Sequence, residues 1–327
     1  MTLCDQMALA DGKAGREASG WEGSGRVILD RGVAVGNGKG GVGKSSLAAG
    51  LAATASAMGW RCLAVDLDAQ GNLGQDLGYH QAGLGDGGEA VFRALTEGAP
   101  LVPVTGVRDG LDVLAAGPWT DGLAEGLAQR VHAEGPAALG AARDALVAVG
   151  EGYDLVVLDT PPSVAAPLDL GLASSRFVCC PVRFDQAGID GIGRVDARCR
   201  ALADNGLNTD LELLGVVLFG FSVAERRMLR DTRAQLEYLL DGVAPVFPTY
   251  IREARKAARH MRAHGVVASE YFLASQEAPP WYEAAPGEES FARNAAGLAS
   301  DYWEVTREIL SCLNRRITAR SLVPIGW

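Results

Sequence analysis

Short apolar runs alternate with longer amphipathic stretches along most of the chain. Runs that are apolar at every position are typical of parallel strands buried on both faces, and helical periodicity marks the segments between them. The predicted strands are Val27–Val35, Cys62–Asp66, Leu111–Leu114, Leu155–Leu158, Phe177–Val182, Leu214–Phe219 and Val243–Phe247. The predicted helices are Lys44–Met58, Glu89–Thr96, Gly135–Val149, Ile189–Asn205, Ala224–Leu240, Arg252–Ala263 and Phe291–Leu313.

Regular alternation of strand and helix predicts an α/β fold, a doubly wound and mostly parallel sheet with helices on both faces. Residues 1–25 are rich in glycine and polar side chains and are predicted to form a flexible N-terminal extension. No composition shift marks a second boundary, so residues 26–327 are expected to form one domain.

Composition narrows the class of protein. The chain has 327 residues, of which 48% are hydrophobic and 21% charged, which excludes a disordered or fibrous protein. Six scattered cysteines without a C-x-x-C pair favour reduced thiols and a cytoplasmic location over a disulfide framework or a zinc site. No apolar run reaches about 18 residues, and the first residues lack the apolar segment of a signal peptide, so neither membrane insertion nor secretion is expected.

A glycine-rich loop stands between the first predicted strand and the first predicted helix. Residues 38–45 read G-K-G-G-V-G-K-S and fit the phosphate-binding pattern G-x-x-x-x-G-K-[ST]. In such a loop, backbone N–H groups surround the phosphates, Lys44 neutralises them and the Ser45 hydroxyl binds Mg²⁺. The predicted nucleotide-binding residues are Gly38, Lys39, Gly40, Gly41, Val42, Gly43, Lys44, Ser45 and Ser46.

Lys39 is a second lysine inside this loop, and wrapping the phosphate does not require it. The loop resembles the deviant Walker A motif of the ParA/MinD ATPase family, within the P-loop NTPases. The resemblance implies that Lys39 crosses to the nucleotide of a facing subunit, and therefore that the protein forms a homodimer with ATP between its subunits.

Two aspartates, Asp66 and Asp68, come at the end of the second predicted strand. Ligands of doubly wound sheets gather at this edge. The segment D-L-D-A-Q-G-N resembles the D-x-D-P-Q-G-N segment of ParA proteins, with Ala69 in place of proline. The resemblance implies that Asp68 positions the attacking water and that Asp66 helps to order the Mg²⁺ shell. Capping of a following turn is the alternative explanation for both.

Asp159 closes the strand that begins at Leu155 and precedes Thr160-Pro161-Pro162. A Walker B carboxylate occupies this place and holds the Mg²⁺ shell. The D-x-P-P ending also resembles ParA. Ser45, Asp66 and Asp159 are therefore the predicted metal-binding residues. Since the chain contains no N-K-x-D motif for guanine, ATP is favoured over GTP.

Two basic segments stand out from a chain of net charge −10. Residues 224–233 and 251–265 together carry a net charge of +6, which leaves −16 for the rest. A basic helix face suits phosphate backbones without sequence readout, although a solvated helix face is the alternative. ParA proteins bind nonspecific DNA through this part of the chain. The DNA-binding candidates are Arg226, Arg227, Arg230, Arg252, Arg255, Lys256, Arg259 and Arg262, and Arg252 has a second possible location near the adenine.

The resemblance covers roughly residues 27–313 and implies a ParA-like ATPase with Lys39, Lys44 and Asp68 as catalytic residues and ATP and Mg²⁺ as cofactors. Such a protein dimerises on ATP, binds nonspecific double-stranded DNA and moves plasmids or chromosomes. A ParB-like centromere-binding partner stimulates its hydrolysis. The expected location is the cytoplasm, at the nucleoid, with no membrane partner. The alternatives are a MinD-like ATPase at a membrane, a redox or metal-delivery enzyme of the same superfamily and a nucleotide-bound scaffold without turnover.

Overall fold

The computed structural model describes residues 28–135, 137–162, 164–183, 185–278, 291–292 and 294–321. The predicted extension at residues 1–25 lies outside the described residues. Within them, eight strands form one sheet in the order β3-β4-β2-β5-β1-β6-β7-β8. Neighbouring strands are parallel, except for the antiparallel pair β3 and β4 at one edge. The strands are β1 (Leu29–Val35), β2 (Cys62–Asp66), β3 (Val104–Arg108), β4 (Leu111–Leu114), β5 (Leu155–Asp159), β6 (Ser175–Val182), β7 (Glu212–Phe221) and β8 (Ile251–Arg252).

Helices connect these strands and cover the sheet. They are α1 (Lys44–Ala57), α2 (Asn72–Leu77), α3 (Glu89–Glu97), α4 (Leu123–Glu134), α5 (Ala137–Gly150), α6 (Ala165–Ser174), α7 (Gln186–Asp204), α8 (Arg226–Leu240), α9 (Arg255–His264), α10 (Ala268–Glu277) and α11 (Ala295–Ser321). A 3₁₀ turn, Pro118–Gly122, precedes α4.

Two hydrophobic cores lie on opposite faces of the sheet. Val33 and Val35 of β1 pack into a core with α1, α2, α9, α10 and α11, whereas Ala34 packs into a second core with α3 to α8. Side chains alternate between faces along a strand, so strands with helices on both sides must be apolar at every position. Cys179 and Cys180 divide between the two cores for the same reason. The doubly wound α/β prediction is confirmed.

Two edge predictions were wrong. The apolar segment Val243–Phe247 contributes only an isolated bridge, between Val216 and Val246, and the edge strand is Ile251–Arg252. Proline has no N–H to donate to a ladder, and Pro245 stands in this segment while Pro248 follows it directly. The helix predicted at Arg252–Ala263 begins at Arg255, so Arg252 belongs to a strand.

The elements that prediction missed have weak hydrophobic signals. Strand β3 is the antiparallel edge strand and is mostly exposed or half-buried. Helix α2 is six residues long, and α4 buries only Leu123 and Leu127. Helix α10 was also missed, and so was α6, which is buried along most of its length and therefore lacks an amphipathic pattern. Short, largely exposed or wholly buried elements provide little helical periodicity to detect.

The carboxyl ends of β1, β2 and β5 meet at one edge of the sheet. Asp66 at the end of β2 is the register partner of Asp159 at the end of β5, and Val35 pairs with Asp159 from the other side. Parallel pairing therefore places the two aspartates side by side, next to the loop that leaves β1.

A close backbone contact joins the end of α2 to the end of α9. Both contact residues are glycines with positive φ, 75° at Gly78 and 64° at Gly265. A Cβ on Gly265 would lie 2.3 Å from the Cα of Gly78. Arg108 of β3 bridges the same two ends, donating to the carbonyls of Leu77 at 2.7 Å and Gly265 at 3.2 Å.

Gly265→Ala is expected to lower the free energy of unfolding by about 2–5 kcal/mol, because backbone strain and steric overlap add. Gly59→Ala is the matched control. Its φ is 88°, but nothing lies within 4 Å of a Cβ placed there, so about 1–2 kcal/mol is expected. Urea unfolding measures both. Equal losses would show that the contact between the two helix ends is not tight.

Candidate nucleotide-binding site

The loop at residues 38–43 joins the end of β1 to the start of α1. Gly41 and Gly43 have φ of 74° and 97°, a backbone region that other residues rarely adopt. The Lys44 ammonium folds back over the loop and donates to the carbonyl oxygen of Lys39 at 3.1 Å. Lys44 is buried, and burial lowers the pKa of its ammonium against the opposing charges of Asp159 and Asp68. The loop therefore has the shape and the charge to receive an anion.

A cleft of about 570 Å³ opens beside this loop. Its walls are formed by the loop with the first turn of α1, the segment after β2, the 3₁₀ turn with the start of α4, and the segment after β5. Phe219 of β7 and Arg262 of α9 complete them. Its polar and charged lining includes Lys44, Ser45, Ser46, Asp68, Asp121 and Arg262.

Asp159 is completely buried at the base of the loop. Neither carboxylate oxygen has a partner in hydrogen-bond geometry, although the Ser45 hydroxyl is close enough to favour the ionised form. Burial raises the pKa of the Asp159 carboxyl to about 7. A buried pair of hard oxygen donors beside a serine hydroxyl fits Mg²⁺, and the ion's charge would relieve the cost of ionising the carboxylate.

Asp68 and Asp66 have different surroundings. Asp68 lines the cleft, and its carboxylate accepts from the backbone N–H of Gln70 at 3.1 Å. Asp66 is fully buried behind it and accepts from the Tyr79 hydroxyl at 3.3 Å and from the Asp68 N–H at 3.1 Å. Burial, with the nearby charge of Asp159, raises the pKa of Asp66 well above its ordinary value. Asp66 thus fixes the turn that presents Asp68, and its part in a metal shell stays a prediction.

The start of α7 anchors the phosphate loop, a function that the sequence did not reveal. The buried Asn37 side chain donates to the carbonyls of Pro181 at 2.8 Å and Gly188 at 3.1 Å. Its own oxygen accepts from the Lys39 N–H at 3.0 Å. Arg194 adds a bond to the Gly38 carbonyl at 3.0 Å. Since these contacts span about 150 positions of sequence, no local pattern could have indicated them.

Lys39, unlike Lys44, is not among the residues that line the cleft. Its ammonium forms an ion pair with Asp185, the residue that caps α7 by accepting from the Gly188 N–H at 2.7 Å. Lys39 lowers the pKa of the Asp185 carboxyl. The second loop lysine is therefore held at the rim of the loop by its own chain.

The basic residues singled out from the sequence fall into two groups. Arg252 is bound through Nε and Nη2 to Asp301, at 2.6 and 2.7 Å, and Arg262 is bound in the same way to Asp76, at 2.7 and 3.1 Å. Arg227, Arg230 and Arg255 are 89%, 75% and 87% exposed. Arg226, Lys256 and Arg259 are also exposed. The basic helix face predicted for residues 251–265 is thus interrupted, because Arg252 lies in β8 and Arg262 lines the nucleotide cleft.

Known proteins are similar to this chain over the part that forms most of the sheet. A family model described as an AAA domain matches residues 30–213. The chromosome-partitioning ATPase Soj of Thermus thermophilus is 39% identical over 189 residues, which cover 58% of this chain and 68% of Soj. The chromosome partitioning protein ParA of Myxococcus xanthus is 32% identical over 210 residues, 63% of this chain and 69% of that protein.

The solved structures show the same fold. The Cyanothece McdA–ATP complex superimposes with a TM-score of 0.67 at 16% identity, covering 86% of this chain and 96% of McdA. Proteins of this fold have been solved with ATP, or with an ATP analogue and magnesium, bound. At these identities the likeness to solved structures shows the fold of this chain.

Asp159→Asn is expected to change how stability depends on pH when nucleotide and Mg²⁺ are left out. The raised pKa means that the native state binds the Asp159 proton more tightly than the unfolded chain does. Stability present below pH 3.8 is therefore lost as the pH rises through about 7. The variant lacks this loss and should be more stable than wild type around pH 8 by on the order of 1–3 kcal/mol.

Thermal and urea unfolding across this pH range measure the effect. Asp154→Asn is the control, since Asp154 lies at the opposite end of β5 and binds the Arg61 N–H at 2.9 Å. A pH profile for Asp159→Asn that runs parallel to wild type would contradict the raised pKa.

Proposed function

The chain belongs to the ParA family of partition ATPases, and from that premise we propose that it hydrolyses ATP with Mg²⁺ as a DNA-bound dimer. The observation that carries the proposal is the convergence of Lys44, Ser45, Asp68 and Asp159 at one edge of the sheet, around a loop with a second lysine. Nucleotide hydrolysis is the general activity of this family.

Phosphoryl transfer needs charge neutralisation and an aligned water more than covalent help. Lys44 would neutralise the phosphates of the nucleotide that its own chain binds. Asp68 lines the cleft with its carboxylate fixed by the Gln70 N–H, so it is the residue that would orient the attacking water. Ser45 and Asp159 would hold Mg²⁺, which when bound neutralises charge that develops on the phosphate oxygens.

Dimerisation is the proposed function of Lys39. A single chain already has Lys44 at its phosphate loop, and the Lys39 ammonium lies at the rim, 31% exposed and paired with Asp185. In a homodimer with ATP between its subunits, this ammonium would bind the phosphates of the facing subunit's nucleotide instead of the Asp185 carboxylate. The ion pair with Asp185 then becomes a contact that dimer formation must break.

Double-stranded DNA is the proposed binding partner, and we expect it to be bound without sequence preference. Exposed arginines at the start of α8 and on α9 carry the positive charge that phosphate backbones require. A ParB-like centromere-binding protein is the proposed stimulating partner, and a nucleoid-associated cytoplasmic location follows from both proposals. In the part of the chain that the structure describes, none of the helices has the length and hydropathy needed to cross a membrane.

Substitution of the two loop lysines is expected to have different effects on ATP binding and on dimerisation. Lys44→Ala should lose ATP binding, because that ammonium neutralises the phosphates of its own nucleotide. Lys39→Ala should bind ATP and remain monomeric. Asp185→Asn keeps an N-cap side chain but removes the charge that holds Lys39, so ATP-dependent dimerisation should tighten by about two- to fivefold, the value of an exposed ion pair.

Calorimetry with ATP and sedimentation with and without ATP separate these effects. Equal loss of ATP affinity in Lys44→Ala and Lys39→Ala would contradict the cross-subunit function. Weaker dimerisation of Asp185→Asn would show that Asp185 contributes to the dimer rather than opposing it.

ATP and Mg²⁺ should switch the wild-type protein to DNA binding, with affinity falling at a log–log salt slope of about −0.9 for each phosphate contacted. Two double variants, Arg227→Gln/Arg230→Gln and Arg255→Gln/Arg259→Gln, should lower the affinity and flatten this slope equally for all DNA sequences. The control is Arg200→Gln on α7, an arginine that is 76% exposed and lies outside both basic segments.

Gel-shift titration at several salt concentrations measures the DNA affinity and its salt slope, and phosphate release measures ATP hydrolysis. Absence of ATP-dependent DNA binding by the wild type, with binding to anionic vesicles instead, would contradict the DNA proposal and favour a MinD-like function at a membrane. ATP binding without phosphate release in the presence of DNA would favour a nucleotide-bound scaffold.

A further inference from the structure

Arg262 differs from the other residues predicted to bind DNA in its location and in its exposure to solvent. It lies on α9, two turns after Arg255, yet it lines the same cleft as Lys44, Ser45, Ser46 and Asp68. Its side chain is 42% exposed, about half the exposure of Arg255. The helix thus presents some of its basic residues to solvent and at least one to the wall of the nucleotide cleft.

Asp76 holds the Arg262 guanidinium in this position. The carboxylate accepts from Nε at 2.7 Å and from Nη2 at 3.1 Å, and Asp76 itself is only 13% exposed. A second residue, Ser46, also donates to this carboxylate through its hydroxyl, at 2.8 Å. Ser46 lies in the first turn of the helix that follows the phosphate loop. One carboxylate therefore separates Arg262 from the phosphate-binding helix.

The surrounding backbone is fixed as well. Gln81 donates to the Arg262 carbonyl at 3.0 Å, and the close contact of Gly78 with Gly265 joins the ends of α2 and α9. Arg108 ties the same two ends together and is paired with Glu270 at 2.6 Å. These contacts reduce the side-chain and backbone entropy that a ligand would otherwise have to remove, which is the physical meaning of a preorganised binding residue.

The charges of the cleft favour a polyphosphate contact. Among the described lining residues the cations are Lys44 and Arg262, and the carboxylates are Asp68 and Asp121. A nucleoside triphosphate adds several negative charges, so it needs more compensation than one lysine provides. Guanidinium has five N–H donors, and Asp76 engages only the Nε and Nη2 side, so donors remain for a phosphate oxygen.

We propose that Arg262 is a nucleotide-phosphate-binding residue of this chain, held at the cleft by Asp76, and that it does not bind DNA. The proposal rests on the proposed ATP binding of this cleft and assigns it an additional cation from a distant part of the sequence. Asp76 is a positioning residue in this arrangement, since it acts on the nucleotide through Arg262.

The test compares two arginines of the same helix. Arg262→Gln should weaken ATP binding, measured by calorimetry with Mg²⁺, by about tenfold, the expected loss of one charge-assisted contact. It should also flatten the dependence of ATP affinity on salt, which a merely structural role would not do. Arg262→Lys, which keeps the charge, should recover part of the loss. Arg259→Gln is the matched control and should leave ATP affinity unchanged.

Asp76→Asn should weaken ATP binding by a smaller factor, because the arginine remains but is no longer fixed. Adding Asp76→Asn to Arg262→Gln should cause no further loss, because both changes remove the same contact. At saturating ATP, Arg262→Gln should bind DNA like wild type. Tighter ATP binding by Asp76→Asn would overturn the positioning function of Asp76.

The proposal is overturned if Arg262→Gln binds ATP with wild-type affinity and salt dependence, or if it loses DNA affinity at saturating ATP to the same degree as Arg259→Gln. These outcomes differ from a failure of the proposed function, in which the wild-type protein itself would not bind ATP. A loss of ATP affinity in Arg262→Gln with an unchanged salt slope, accompanied by a lower unfolding temperature, would assign Arg262 a structural role and also overturn the proposal.

Discussion

Burial of like charges at one sheet edge is the constraint on which the site depends. Parallel pairing makes Asp66 and Asp159 register partners at the ends of β2 and β5, and both are inaccessible to water. Burial is the larger cause that raises the pKa of both carboxyls, and a neighbouring charge adds to it, that of Asp159 for Asp66 and that of Asp68 for Asp159. Such an arrangement is unfavourable for a protein without a ligand, and a cation at the Ser45 and Asp159 oxygens would make it favourable. Ionising these buried carboxyls costs free energy in the ligand-free protein, and binding of nucleotide with a metal ion would lower that cost.

The phosphate loop depends on a second element beyond the strand and helix that flank it. Helix α7 begins against the loop, and Asn37 and Arg194 bind the two segments together through backbone carbonyls. Asp185 at the same helix start holds Lys39 outward, while Lys44 folds inward over the loop. The two lysines therefore face different environments although they are five positions apart. That division supports the proposal that Lys44 binds the chain's own nucleotide and that Lys39 contacts a facing subunit.

Sequence reasoning was strongest where a residue's surroundings are determined by its neighbours in the chain. Strands such as β2 and β4 were predicted with their observed bounds, because burial on both faces makes most of their positions apolar, Asp66 and Asp112 excepted. The phosphate loop and Asp159 followed from motif and position together. The pairs of Arg262 with Asp76 and of Arg252 with Asp301 could not be predicted, since 186 and 49 positions separate the partners. A basic periodicity reports that arginines share a face, and only the fold shows which of them already have carboxylate partners.

The distribution of arginines also connects the two proposed binding surfaces. Helix α9 packs against the core through Ala257, exposes Arg255 and carries Arg262 at the wall of the nucleotide cleft. A rigid helix cannot move one of these arginines without affecting the other, because two turns of backbone hydrogen bonds join them. In this chain one short helix therefore carries exposed arginines, which are the proposed contacts to DNA, and Arg262 at the wall of the proposed nucleotide cleft. The two proposed surfaces stay distinct because Asp76 holds Arg262 at the cleft while Arg255 is exposed to solvent.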